Sequence, residues 1–225
     1  VVSIVMYRSQ QRPYLDGGVP VASSSSLLSQ VLGITGAGFV VTAATGYLAR
    51  GFPYGASLVA MLVGFGFLIA ISGTRRNPGL SMLMFYAFTA CEGIGIGPIV
   101  ATYARIDGSA VVVNAASTTG LGMLALGGIV ALTSFDYRRL SGIAFGALIA
   151  LVLVGLISAF THFLHPQVYS WLTLVVFTLL VLVDFARIRA GGAGATAIQL
   201  ATSIYLDAIN IFLALLRIFG AGNRD

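Results

Sequence analysis

Two acidic residues in apolar surroundings are where chemistry concentrates in this chain. Asp207 lies in Ser203-Ile204-Tyr205-Leu206-Asp207-Ala208-Ile209-Asn210-Ile211-Phe212, inside an apolar stretch from Thr196 to Phe219. That stretch is long enough to cross a bilayer. A carboxylate at the middle of a span costs at least about 2.5 kcal/mol, so it persists only with a partner or a wet cavity. Asp184 lies near the end of the preceding apolar run, in Val181-Leu182-Val183-Asp184-Phe185. Two carboxylates held close cannot both ionise easily; such a pair shares a proton and changes charge with pH, as a gate requires. Ser203 and Asn210, at i−4 and i+3, share the face of Asp207 and make it an oxygen-rich patch. A second reading of Asp184 stays open: an interfacial residue paired with Arg187 at i+3. Depth also sets a condition, because Asp207 is about a dozen residues, roughly 18 Å, into its helix. The acids meet only if the last helix starts late or the Gly191–Gly194 turn sits inside the bundle.

Other polar residues are weaker candidates. Arg75 and Arg76 end the second apolar run; both suit anchoring at the membrane surface, and Arg75, nearer the membrane, is also placed to bridge inward to the carboxylates. Glu92 is a third intramembrane acid, either a pathway residue or a helix–helix hydrogen bond. It precedes Gly93-Ile94-Gly95-Ile96-Gly97-Pro98, where Pro98 is expected to break the helix and free a carbonyl. This string is no dinucleotide fingerprint, since no strand–turn–helix surrounds it. His162 and His165, three apart without a third ligand, read as solvated loop residues. Cys91 is the sole cysteine, which excludes a disulfide framework. No nucleophile–base–orienter set, P-loop or Cys/His cluster is present in the sequence, so an enzyme is not expected, nor any cofactor.

The elements that must carry these residues follow from composition. Of 225 residues, 58% are hydrophobic and only 8% charged, with a mean hydropathy of +0.98. Soluble domains carry roughly 25% charged residues, so this is an integral membrane protein. Apolar runs fall at about 27–48, 54–73, 80–103, 110–134, 143–163, 169–186 and 196–219, which read as seven spanning helices and not as barrel strands. The expected fold is an all-α bundle of seven transmembrane helices in a single domain, residues 27–220. A flexible polar tail is expected at 1–26 and a short C-terminal tail at 221–225; no cleavable leader is expected. Gly93 and Gly97, and Gly33, Gly36 and Gly38, are expected to allow close helix approach.

All twelve basic residues are Arg, and the net charge is +5. Arg8, Arg12, Arg75, Arg76, Arg138, Arg139, Arg187 and Arg189 fall on one side of the membrane, against Arg50 and Arg105 on the other. The positive-inside rule then makes the N-terminus cytoplasmic, and this sidedness accounts for the charge without nucleic acid. Whether the seventh run spans fully or re-enters is open at this stage.

Seven runs, a Gly-Pro in the third, Asp184 ending the sixth and Ser-Ile-Tyr-Leu-Asp-Ala-Ile-Asn-Ile-Phe-Leu-Ala-Leu-Leu-Arg-Ile-Phe-Gly in the seventh resemble the Bax inhibitor-1 (transmembrane Bax inhibitor motif) family, with its bacterial YccA-like and YetJ-like members. The resemblance implies a central last helix ringed by the other six. It also implies a pH-sensitive calcium leak with a di-aspartyl sensor at Asp184 and Asp207 and an arginine latch at Arg75 or its neighbour Arg76. The sixth-run acid stands in Val-Asp-Phe here, where Tyr-Asp is common in the family. Calcium, a hard ion, suits the oxygens of Asp184, Asp207 and Asn210. Some bacterial relatives modulate a membrane-bound protease, which makes a non-conducting regulator of a protease or stress pathway the alternative. A proton-coupled transporter is a third option, without a visible internal repeat to support it. The expected setting is a bacterial inner membrane, with the lipid bilayer and calcium ions as partners and the chain a monomer or weak oligomer.

Overall fold

A computed structural model of the protein describes residues 24–133 and 137–222. The helices are α1 Ser24–Leu48, α2 Tyr54–Gly73, α3 Pro78–Ile106, α4 Ser109–Leu132, α5 Tyr137–Thr161, α6 Pro166–Arg189 and α7 Ala197–Gly222, with a 3-10 turn at Gly192–Gly194 before α7. Among the described residues these seven are long and apolar enough to cross a membrane, and no strand occurs. The expected N-terminal tail lies, up to residue 23, outside the described residues; Ser24–Ser26 already belong to α1. Likewise residues 221–222 continue α7, and 223–225 lie outside. Arg138 and Arg139 fall in the first turn of α5, ahead of the apolar run that begins at 143. The seventh run is one helix of 26 residues, about 39 Å long. A re-entrant path needs an interruption that α7 does not have.

Local chemistry sets several starts. Asn77 caps α3 by accepting from the Leu80 N–H at 3.1 Å, with Pro78 supplying a first-turn residue that needs no donor partner. His165 does the same for α6, its Nδ1 accepting from Gln167 N–H ahead of Pro166. At α7 a reciprocal box forms: Thr196 N–H donates to Gln199 Oε1 at 3.1 Å and Gln199 N–H to Thr196 Oγ1 at 3.2 Å. The expected break at Pro98 does not occur. α3 runs unbroken through it, because Pro98 lies in the buried stretch Gly95–Pro98, where packing holds the backbone helical.

Packing makes the last helix the centre. In α7, 61% of the most apolar window is buried, against 11% in α5 and 17% in α2. It touches α1, α3, α4 and α6, while α2 leans chiefly on α3 and α5 on α6. Leu62, Phe65 and Ile69 of α2 and Leu153, Leu156 and Phe160 of α5 face outward. Apolar surroundings, not water, satisfy such faces. The α1–α3 contact rests on glycine: a Cβ on Gly97 would lie 2.4 Å from the Gly46 carbonyl oxygen, and one on Gly93 would lie 2.4 Å from that of Thr42. Gly38 meets Phe85 and Thr89, but Gly33 and Gly36 have open space where a side chain would be. Close approach is therefore not their role, contrary to the expectation from spacing.

Candidate functional site

Asp184 and Asp207 are both buried, at 7% and 5% exposure. α6 continues five residues beyond Asp184 and ten residues of α7 precede Asp207, about 7.5 Å and 15 Å of helix. Residues 190–196 take up this offset. The chain there passes through four consecutive positive φ values, 84° at Gly191, 83° at Gly192, 48° at Ala193 and 79° at Gly194. Glycine adopts such angles freely; Ala193 does so at a cost of about 1–2 kcal/mol. Gly192 is buried between Leu27 and Leu200, so the turn is tucked against the bundle and not displayed above it.

With that stagger, the Asp184 carboxyl faces the Ser203 hydroxyl and the Asp207 carboxyl across the α6–α7 interface, close enough for each to act on it electrostatically, and Arg187 lies one turn along its own helix. Ser203 and Asp207 lie one turn apart on α7, so the three groups form one cluster across the α6–α7 interface. Oδ2 of Asp184 and Oδ2 of Asp207 are buried without a hydrogen-bond partner. Two anions would leave these oxygens unsatisfied at a cost of several kcal/mol. A proton carried by either acid, or a cation between them, supplies the missing positive partner. The cluster can do two things: hold a proton, and attract a cation once the proton leaves.

Other candidates are placed differently. The structure does not bring Arg75 to the carboxyls. It is exposed at the end of α2, where its Nη2 donates to the Gly194 carbonyl at 2.6 Å. Arg75 and Arg187 line a cavity of about 320 Å³ together with Ser72, Gln199 and Thr202, and this cavity opens at the same end of the bundle as the turn. Arg76 is exposed. Asn210 is half-buried, and its Nδ2 donates to the Leu206 carbonyl at 2.8 Å within its own helix, not to Asp207. Glu92 is half-buried on α3. Arg189 donates from Nη1 to the carbonyls of Val130 and Thr133, closing the C-terminal end of α4.

Tyr205 was not singled out by sequence reasoning, yet it is the largest fully buried side chain. Its ring stacks on Phe39 and meets the edges or faces of Phe85 and Phe88 at centroid distances of 5.2, 5.8 and 5.6 Å. Its hydroxyl lies 2.6 Å from Thr42 Oγ1, which is also bonded to the carbonyls of Thr89 and Gly38. Two residues before Asp207, Tyr205 fixes the rotation of α7 against α1 and α3. Its position in a polar phrase was the available signal, but its partner is 163 residues away.

The family model described as "Inhibitor of apoptosis-promoting Bax1" matches residues 24–224. The chain belongs to the Bax inhibitor-1 family. Bacterial relatives agree with the fold. An uncharacterized membrane protein of Streptococcus pyogenes serotype M1 is 30% identical over 175 residues, covering 74% of this chain and 73% of that protein. One of Vibrio cholerae serotype O1 is 27% identical over 186 residues, covering 81% and 82%. An uncharacterized protein of Pasteurella multocida is 34% identical over 138 residues, covering 60% and 62%. This Bax inhibitor-1 family chain is a multi-pass membrane protein whose most buried helix supplies Asp207 and Ser203 to the acid cluster and whose sixth helix supplies Asp184.

Proposed function

We propose that this chain is a pH-sensitive calcium leak of a bacterial inner membrane, its N-terminus cytoplasmic and its gate the pair Asp184 and Asp207. The observation that carries this reading is the meeting of two buried carboxyls from adjacent helices, each with an unpartnered oxygen. Protonated, the pair is close to neutral and holds a cation weakly, which favours the shut bundle. Deprotonated, it attracts a cation and repels itself, which favours separation of α6 from α7. Toward the far end of α7, the buried Ile211, Ala214, Leu215, Leu216 and Ile218 supply an apolar seal, so the described conformation fits the shut state.

Calcium is best held by 6–8 oxygens. Two carboxyls and the Ser203 hydroxyl offer fewer, and no group of three or more His, Cys, Asp or Glu stands together among the described residues. A calcium ion at this cluster keeps much of its water and moves on, which suits a leak better than a storage site. Arg75 acts in this reading as the latch: its bond to Gly194 ties α2 to the turn joining the two acid-bearing helices. Asn210 and Glu92 belong to the surroundings of the path, not to the sensor.

The test is calcium flux into proteoliposomes carrying an internal calcium dye, from mildly acidic to mildly alkaline pH. Flux is expected to rise with pH. Asp207→Asn or Asp184→Asn should flatten that dependence and change flux about tenfold, the scale of one charged hydrogen bond of roughly 1.5 kcal/mol. Unchanged pH dependence in both variants would overturn the sensor. No flux from the folded wild type would favour a non-conducting regulator of a membrane protease.

A further inference from the structure

α1 and α4 are not packed neighbours; both lean on α7, and a cleft remains between them. It has a volume of about 1140 Å³, above the roughly 300–1,000 Å³ of ordinary small-molecule pockets. Along α1 it extends from Leu28 to Tyr47, about 29 Å of helix and so close to the full thickness of the hydrocarbon. The lining is apolar almost throughout, with Phe185, Ile204 and Ala208 in the floor. Cationic groups gather at one end only. Arg50 follows the last turn of α1 and Arg105 lies in the last turn of α3, and both line the cleft. Because α1 and α3 run in the same direction, these ends lie on the same side of the bundle. Arg50 lies over the Tyr47 ring at 4.0 Å, and neither guanidinium has a carboxylate partner among the described residues. Asp107, the acid nearest Arg105 in sequence, has its Oδ2 beside Gly220 of α7.

We propose that this cleft binds one anionic phospholipid of the adjacent leaflet, its phosphate held by Arg50 and Arg105 and an acyl chain lying along α1 and α4. Charge complementarity selects this occupant. An apolar channel open to the bilayer takes a hydrocarbon chain, and two guanidinium groups at its mouth, without a carboxylate partner among the described residues, fit a phosphate with a net negative headgroup. Gly36 and Gly120 leave the room: both line the cleft, and a Cβ on either would meet nothing within 4 Å. Phe185 and Ala208 follow Asp184 and Asp207 directly in sequence, so the bound chain lies against the helices that carry the acid cluster. Lipid held in this cleft is read by retention alone, whether or not the protein conducts ions.

The experiment is native mass spectrometry of protein extracted from vesicles containing equal phosphatidylglycerol and phosphatidylcholine. The wild type is expected to retain one phosphatidylglycerol in preference to phosphatidylcholine. Arg50→Gln with Arg105→Gln should lower that retention about tenfold or more, from the loss of two cationic contacts. Gly36→Leu, which fills the cleft without striking the backbone, should lower it while leaving both arginines in place. Arg76→Gln, at the opposite end, should leave it unchanged. Equal loss in Arg76→Gln, or retention unaffected by Gly36→Leu, would overturn the site. So would a photoactivatable acyl chain that fails to label α1 or α4, or residue 36 crosslinking to a second copy.

Discussion

At the scale of single residues, Tyr205 and Asp207 face the bundle interior from one helix and solve opposite problems. Asp207 needs a positive partner and finds another acid, so its satisfaction depends on a proton or a cation. Tyr205 is satisfied outright by Thr42 at 2.6 Å and by three aromatic rings. Tyr205→Phe keeps the ring contacts and removes one buried hydrogen bond, so it should cost about 1 kcal/mol. Tyr205→Ala removes the ring as well and should cost about 3–5 kcal/mol. Thermal unfolding of detergent-solubilised variants separates the two, and a Phe variant as damaged as the Ala variant would contradict this division. Asp207 was legible in the sequence because a carboxylate in a span demands an explanation. Thr42 was not, since a threonine in an apolar helix can return its hydroxyl to its own backbone, as Thr42 also does to Gly38. Arg75 was legible as a bridge to the acids from its place at the end of the second run, and as a latch by resemblance. That its hydrogen bond goes to a backbone carbonyl of the Gly194 turn could not be read from residue types.

At the scale of elements, the spans were readable because bilayer thickness and helical rise fix their length, whatever their neighbours. What a given glycine does was not readable, because spacing shows which residues share a face but not what lies opposite. Gly97 and Gly66 illustrate the difference. Gly97→Ala would drive a methyl to 2.4 Å from the Gly46 carbonyl and should destabilise the protein by about 1–3 kcal/mol. Gly66→Ala, on α2 with nothing within 4 Å of its added methyl, should be neutral or stabilising by up to about 1 kcal/mol. Comparing their melting temperatures tests whether the α1–α3 crossing is held by backbone contact. Pro98 teaches a related lesson: proline forecasts a break, but a helix embedded among others can carry it without one.

At the scale of the whole molecule, seven helices that each cross the membrane, with the proposed cytoplasmic N-terminal side, would put Ser24 and Gly222 on opposite faces. A reporter fused ahead of residue 1 should be active only in the cytoplasm, and one fused after residue 225 only outside. Both reporters on the same side would mean that one helix does not cross. The joining of α6 to α7 also bears on how the protein enters a bilayer. A solitary α7 delivered into lipid would expose Asp207 near its middle, at about 2.5–3.5 kcal/mol on translocon insertion scales. Leaving the ribosome behind α6, and tied to it by a short left-handed link, it can enter as the second arm of a hairpin in which Asp184 and Ser203 already shelter that side chain. Biogenesis should therefore retain α6 beside the translocon until its successor arrives, and the acids would be companions before the rest of the bundle closes around them.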